Sequence, residues 1–171
     1  MRQAMQPRVA SLPAMRRQRG VAAIEFALVF LFGMLPLLLL TFSGVLIFAA
    51  KQSLTLAAAE GARAALRYGT AEQRRGYACA AAQRSMQWLL DFSGETAGCD
   101  APATPGTSYA PVAVSTAASC PSVPAAQCLT VVASYDYDAH PLLPGTGAAY
   151  GWLLGSAIAS SATVQLDPQT D

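Results

Sequence analysis

The sequence predicts an α+β protein with a long N-terminal transmembrane and stalk helix, a second helix, and a small antiparallel sheet. Three observations carry this prediction. An apolar run near the N-terminus is longer than a globular core helix needs, helical periodicity continues beyond it to about residue 91, and from residue 112 apolar residues recur at a spacing of two. The composition fits a chain that partly leaves water. Of its 171 residues 53% are hydrophobic and only 12% charged, against roughly a quarter charged in ordinary soluble domains, and the mean hydropathy is +0.34. This length holds one domain of moderate core plus an accessory segment, not a two-domain enzyme.

The first element is the apolar helix, and the charges around it set its direction. The chain carries 11 Lys+Arg and 10 Asp+Glu, a net charge of +1, which gives no argument for nucleic acid. Their distribution is uneven. Arg2, Arg8, Arg16, Arg17 and Arg19 precede Gly20 with no acid among them, and the remainder of the chain is acidic overall. From Val21 to Ala50 the one ionisable side chain is Glu25. The uncharged stretch from Leu28 to Ala50 reaches ~35 Å at about 1.5 Å per residue, enough to cross a hydrocarbon core of ~30 Å. The arginines place the N-terminus in the cytoplasm and the rest of the chain outside it. A cleaved secretory signal fits less well, because its apolar core spans only about 7 to 15 residues. Pro36, Gly33 and Gly44 are tolerated in a membrane helix, and a kink is expected around Pro36.

Glu25 has to be explained, since an acid in an apolar helix costs about 2.5 to 3.5 kcal/mol at the membrane centre. Two readings stand side by side. An acid in the first turns of a helix is favoured by the macrodipole. Alternatively, cleavage after Gly20 would give Val21 a free α-amino group one turn away, and an axially shifted neighbour's amine could meet the carboxylate, making Glu25 a register device.

The second element continues helical to Tyr68. Ala57 to Ala65 are mostly strong helix formers, Glu60 and Arg63 stand at i,i+3, and Gly69 is a natural stop. Leu54, Ala58, Gly61, Ala62 and Ala65 form a narrow stripe suited to close packing, either against the chain's own globular part, the favoured reading, or as a seam between subunits. Thr70 and Gln73 then form a capping box, opening a helix from Ala71 to about Asp91 that Ser93 and Gly94 end. Cys79, Ala82, Met86 and Leu89 share its core face. Gly94 to Tyr109, rich in Gly and Pro, reads as loop.

Strands follow. Leu129, Val131, Ala133, Tyr135 and Tyr137 alternate with Thr130, Val132, Ser134, Asp136 and Asp138, a half-buried strand pattern. Ile158, Ala162, Val164 and Leu166 fall on one parity of a second strand, and a weaker one surrounds Val112 to Ser115. Tyr150-Gly151-Trp152-Leu153-Leu154 reads as a buried turn in preference to a contact surface. The organisation is thus a basic leader over 1–20, a transmembrane helix over 21–50, a helical stalk over 51–68, and an exported, disulfide-containing α+β domain over 69–171.

The motifs at both ends of the span resemble a known family. A basic leader, Gly20, four residues and Glu25 are similar to the processing motif of type IV pilins and pseudopilins, in which prepilin peptidase cuts after the glycine. Arg19-Gly20-Val21-Ala22-Ala23-Ile24-Glu25-Phe26-Ala27-Leu28, followed by Ala58-Ala59-Glu60-Gly61-Ala62-Arg63-Ala64-Ala65, resembles the TadE-like family of tight-adherence (Tad) pilus assembly proteins. Phe26 stands where the related Flp pilins usually have Tyr, a likeness to the minor TadE-like components and not to the major pilin. The strand, the Pro-containing turn over Pro141 to Pro144 and the final strand are similar to the C-terminal order of that family. The resemblance implies a processing site at Gly20 and Val21, assembly and recognition roles for Glu25 and Phe26, and a minor pseudopilin acting in pilus assembly or adhesion. It also implies partners in the inner membrane, the prepilin peptidase, other pilus or pseudopilin subunits and assembly-platform proteins.

Chemistry is sparse elsewhere. Cys79, Cys99, Cys120 and Cys128 all follow the span, where the compartment is oxidising, and they lack C-x-x-C or zinc-finger spacing. Pairing Cys79 with Cys99 and Cys120 with Cys128 is favoured, because each pair closes a local, loop-like segment. His140 has no Gly-x-Ser-x-Gly elbow to serve. Asp136 and Asp138 are two carboxylates where a cation needs more, and Arg74-Arg75 is a short basic pair on an exposed helix face, too little for a nucleic-acid site. No cofactor motif occurs and no constellation meets the requirements of an active site, so the expectation is a structural protein, not an enzyme. Three rivals remain: a single-pass periplasmic binding or sensor module that keeps its leader, a type II secretion pseudopilin, disfavoured by the Ala57 to Ala65 motif, and a periplasmic hydrolase dependent on His140.

Overall fold

In the computed structural model, residues 19–99, 110–121, 123–144, 146 and 157–166 are described. The chain divides into two units at Phe42 and Ser43. The element order is α1 (Arg19–Val29), a π-helical turn (Phe30–Met34), α2 (Leu35–Ala64), α3 (Ala71–Ser85), α4 (Gln87–Ser93), β1 (Val112–Val114), β2 (Ala118–Ser119), β3 (Gln127–Asp136) and β4 (Ala157–Leu166). An α+β fold with a small antiparallel sheet is what the sequence predicts, and it is what forms.

The described part of the first unit, residues 19–42, is helical, and its irregularity precedes Pro36. A proline ring presses on the carbonyl four residues back, here that of Phe32, and offers no N–H. The chain accommodates this by widening to a π turn, in which the amide of Leu35 donates to the carbonyl of Phe30.

The second unit is a helical layer on one face of a sheet. β3 is the central strand, paired antiparallel with β4 along ten residues, from Gln127 with Leu166 to Asp136 with Ala157. Its other edge takes β1, with Val112 opposite Ala133, and then β2, with Ala118 opposite Cys128. Ser115 bridges the gap between them, its amide donating to the carbonyl of Thr130 and its hydroxyl accepting from the amide of Thr130 at 2.9 Å. The alternation read from the sequence puts Leu129, Val131, Ala133 and Tyr135 into one core with Val112, Val114, Ile158 and Leu166. Leu54, Ala57, Ala58 and Ala65 of α2 and its following turn, Ala78 and Ala82 of α3, and Met86, Leu89 and Leu90 complete it. β3 is more buried than half: Val132 and Ser134, on its other face, are also buried.

The stripe Leu54, Ala58, Gly61, Ala62 and Ala65 is buried inside this unit. Close approach is needed at Gly61, where a Cβ would stand 3.1 Å from the carbonyl oxygen of Ala78 and 3.3 Å from the Cβ of Ala82. Polar contacts fasten α2 at its flanks. Thr55 Oγ1 and Ser160 Oγ lie 3.1 Å apart, and the Lys51 ammonium donates to the carbonyl of Ala159.

Several details correct the sequence reading. The helix expected to reach Tyr68 ends at Ala64, and a turn follows in which Leu66 N–H donates to Arg63 and Arg67 N–H to Ala64. The expected helix to about Asp91 is two, broken at Met86 (φ −115°, ψ 17°) and ending at Ser93, with Gly94 in the left-handed region as its cap. In an unbroken helix the carbonyl of Ser85 would accept from residue 89; here it accepts from the Ser53 hydroxyl at 3.1 Å, and Leu89 N–H turns to Met86. Strand β3 stops at Asp136, so Asp138 lies in a turn and does not share a strand face with Asp136. β2 was not anticipated at all. Residues 1–18 of the leader, residues 100–109 of the loop and the Tyr150 to Leu154 segment lie outside the described residues.

Candidate functional site

Gly20, Val21, Glu25 and Phe26 all lie on α1. At 3.6 residues per turn Val21 and Glu25 share a face, about 6 Å apart along the axis. Among the described residues no cation lies within ion-pair distance of Glu25. Phe26 is 72% exposed and its ring stacks on Phe30 with centroids 6.2 Å apart. The apolar side chains that follow, from Leu28 through Leu40 to Phe48, are exposed almost without exception. Water is a poor neighbour for such a surface, and its continuity calls for an apolar environment. Gly20 to Ala64, 45 residues, is long and apolar enough to cross a membrane.

The second motif lies at the C-terminal end of α2. Its small residues form the packing stripe, while Glu60 and Arg63 point outward and pair at 2.9 Å, i to i+3. The motif is therefore split by function: one face builds the core and the other presents charge.

The remaining candidates are placed as follows. Cys79 is bonded to Cys99, joining α3 to the segment after α4 with Cα atoms 5.9 Å apart. Cys120 is bonded to Cys128, tying the β2–β3 connection, with Cα atoms 5.0 Å apart. Asp136 is occupied by the turn, its carboxylate accepting from the amides of Asp138 and Ala139 at 3.0 Å. His140 Nε2 lies 3.8 Å from Glu95 Oε1. No group of three potential metal ligands occurs among the described residues. Arg74 and Arg75 are not an exposed pair: Arg74 is buried, its Nε donating to the carbonyl of Gly69 at 3.0 Å, and Arg75 is mostly covered and paired with Glu72 at 3.3 Å. The arginine side chain beside a helix start stitches the α2–α3 turn, which leaves little basic surface there.

Two features escaped the sequence reading. Tyr135 is buried, its hydroxyl donates to the carbonyl of His140 at 2.6 Å, and its pKa is pushed up to about 12, chiefly by burial and then by the nearby charges of Tyr137, Glu95 and Asp136. A cleft of about 350 Å³ runs between α2 and α3, lined by Glu60, Arg63, Ala64, Arg67, Ala81, Arg84 and Ser85. Arg63 and Arg67, at i and i+4, were a visible signal; Arg84, from another helix, was not.

The chain thus combines a helix long and apolar enough to span a membrane, consistent with single-pass anchoring, with a disulfide-bonded α+β unit. Residues 20–63 match the family model described as TadE-like protein. This covers the α1 motif from Gly20 onward and most of the α2 motif, and a TadE-like segment suggests involvement in the Tad pilus system. No curated protein and no solved structure matches the chain.

Proposed function

We propose that this protein is a minor pseudopilin of a bacterial Tad-type pilus system, cut after Gly20 by prepilin peptidase and acting as a structural subunit in pilus assembly or adhesion. It inserts with the basic leader in the cytoplasm and the disulfide-bonded unit outside, anchored in the inner membrane by the helix from Val21 to Ala50. Its partners are the peptidase, other pilus or pseudopilin subunits and the assembly platform. The observation that carries this reading is the junction of five arginines with Gly20 and Glu25, the last two at the start of an exposed apolar helix and within the segment, residues 20–63, that matches the TadE-like model. Packing, not bond-making, is its mechanism: Glu25 sets the axial register of the mature subunit against a neighbour's α-amino group.

N-terminal sequencing of the membrane-extracted protein tests the reading. The mature chain begins at Val21 in cells that contain a prepilin peptidase, and Gly20→Trp leaves the full-length precursor. Uncut wild-type protein, or identical processing of the Gly20 variant, defeats it; an intact leader would favour the periplasmic binding or sensor module.

A further inference from the structure

The cleft between α2 and α3 has no place in the packing mechanism, and its chemistry is distinctive. Beyond Gly20 the chain has six basic residues against ten acidic ones. Three of those six, Arg63, Arg67 and Arg84, line this one cleft, with Glu60 as its one carboxylate. Glu60 is committed to Arg63 at 2.9 Å. Among the described residues neither Arg67 nor Arg84 has a carboxylate within ion-pair distance.

The guanidinium groups are held in place without being neutralised. Arg67 lies over the ring of Tyr77, 5.8 Å from its centroid. Arg84 uses its Nε on the carbonyl of Ala80 at 3.0 Å, leaving its terminal nitrogens for another acceptor. Arg63 and Arg84 stand in the last turns of α2 and α3, where the partial negative charge of each helix end offsets their mutual repulsion. Ala64 and Ala81 have short side chains, which keeps the space between the arginine-bearing rims open. Positively charged, partly ordered forks flanking an open groove are matched to carboxylates, which they bind in bidentate fashion.

We propose that this cleft is a docking site for an acidic peptide segment of a partner protein. A protein partner, and not a lipid surface, is argued from position: Arg63 stands 13 residues beyond Ala50, and at about 1.5 Å per residue that is ~20 Å along α2 from the end of the apolar segment. The proposal deepens the reading above, on which it rests for the partner being another pilus component. It gives that partner a chemistry.

The test uses the full chain in neutral detergent, titrated with a fluorescent hexaglutamate peptide, with a Gly-Ser peptide of equal length as reference. The acidic peptide binds and the reference does not, and added salt releases it. Arg67→Gln with Arg84→Gln weakens binding by about tenfold or more, since charge-assisted hydrogen bonds are lost. Glu60→Gln removes the competing carboxylate and tightens it, an opposite change that a folding defect would not produce. Unchanged affinity in the double variant, equal binding of both peptides, or full displacement by inorganic phosphate at constant ionic strength each overturns the proposal. Cleavage after Gly20 is scored separately, so that failure of the cleft leaves the pseudopilin reading to its own experiment.

Discussion

Gly61 and Val131 are packed so closely that a Cβ on the glycine would stand 2.9 Å from Cγ1 of the valine. This contact fixes how α2 lies on the sheet, and the carbonyl oxygen of Ala78 and the Cβ of Ala82, both on α3, close the other side. The valine methyl has little room to turn away inside a strand whose neighbours are buried. Gly61→Ala therefore destabilises the second unit by about 1 to 3 kcal/mol, the usual cost of overpacking, despite the higher helix propensity of alanine. Denaturant unfolding followed by circular dichroism checks this in the detergent-solubilised protein. A more stable Gly61→Ala variant would show that the helices part easily here.

Local chemistry was legible in the sequence and juxtaposition was not. The capping box at Thr70 and Gln73 forms as read, because both of its bonds join residues three apart. The β3 alternation was equally visible, since strand period is a property of neighbours. The break at Met86 was hidden because its cause, the Ser53 hydroxyl on the Ser85 carbonyl, arrives from 32 residues away. Arg74 looked solvated for a more local reason: its Nε partner, the Gly69 carbonyl, is only five residues back, but its position is set by how the preceding turn folds. The arginine cleft needed α2 and α3 to be laid side by side, and only Arg63 and Arg67, at the end of α2 and in the turn after it, are near neighbours in sequence.

The two disulfides close loops with sequence separations of 20 and 8 residues. Chain-entropy arguments give about 3 kcal/mol for the longer loop and about 2.5 kcal/mol for the shorter one. Mass measurement without reduction should show the chain lighter by four hydrogens than the free-thiol form. Replacing Cys79 and Cys99 together by Ser should lower stability at least as much as replacing Cys120 and Cys128. Four alkylatable thiols in freshly isolated protein would contradict an oxidising location for this unit.

Tyr135 makes stability fall at high pH. Its phenol ionises near 10 when exposed and near about 12 in the fold. Below pH 10 both states hold the proton, so the stabilisation is fully present; between these values the unfolded chain loses its proton first, and stability declines as pH rises toward 12. Phenolate absorbance should show one tyrosine titrating late. Tyr135→Phe should remove this part of the decline while losing, at neutral pH, about 0.5 to 1.5 kcal/mol from the hydrogen bond to His140. A slope unchanged in Tyr135→Phe would place the effect in other groups.

Glu25 separates the two accounts of the N-terminal helix. If its carboxylate meets the α-amino group of a processed neighbour in an apolar setting, Glu25→Gln strands that amine without a counter-ion, a loss of about 3 to 5 kcal/mol for a buried pair. Insertion should persist or improve, because an uncharged side chain costs less in hydrocarbon. Cleavage after Gly20 should also persist, so the defect is confined to association with other pilus components. The helix-dipole account predicts a change of only about 0.3 to 1 kcal/mol and normal assembly. Crosslinking in membranes, followed by co-purification of identified pilus subunits with wild-type and variant protein, distinguishes them. Processed Glu25→Gln that recovers those subunits and surface pili at wild-type levels would return Glu25 to the role of an acid placed near a helix start.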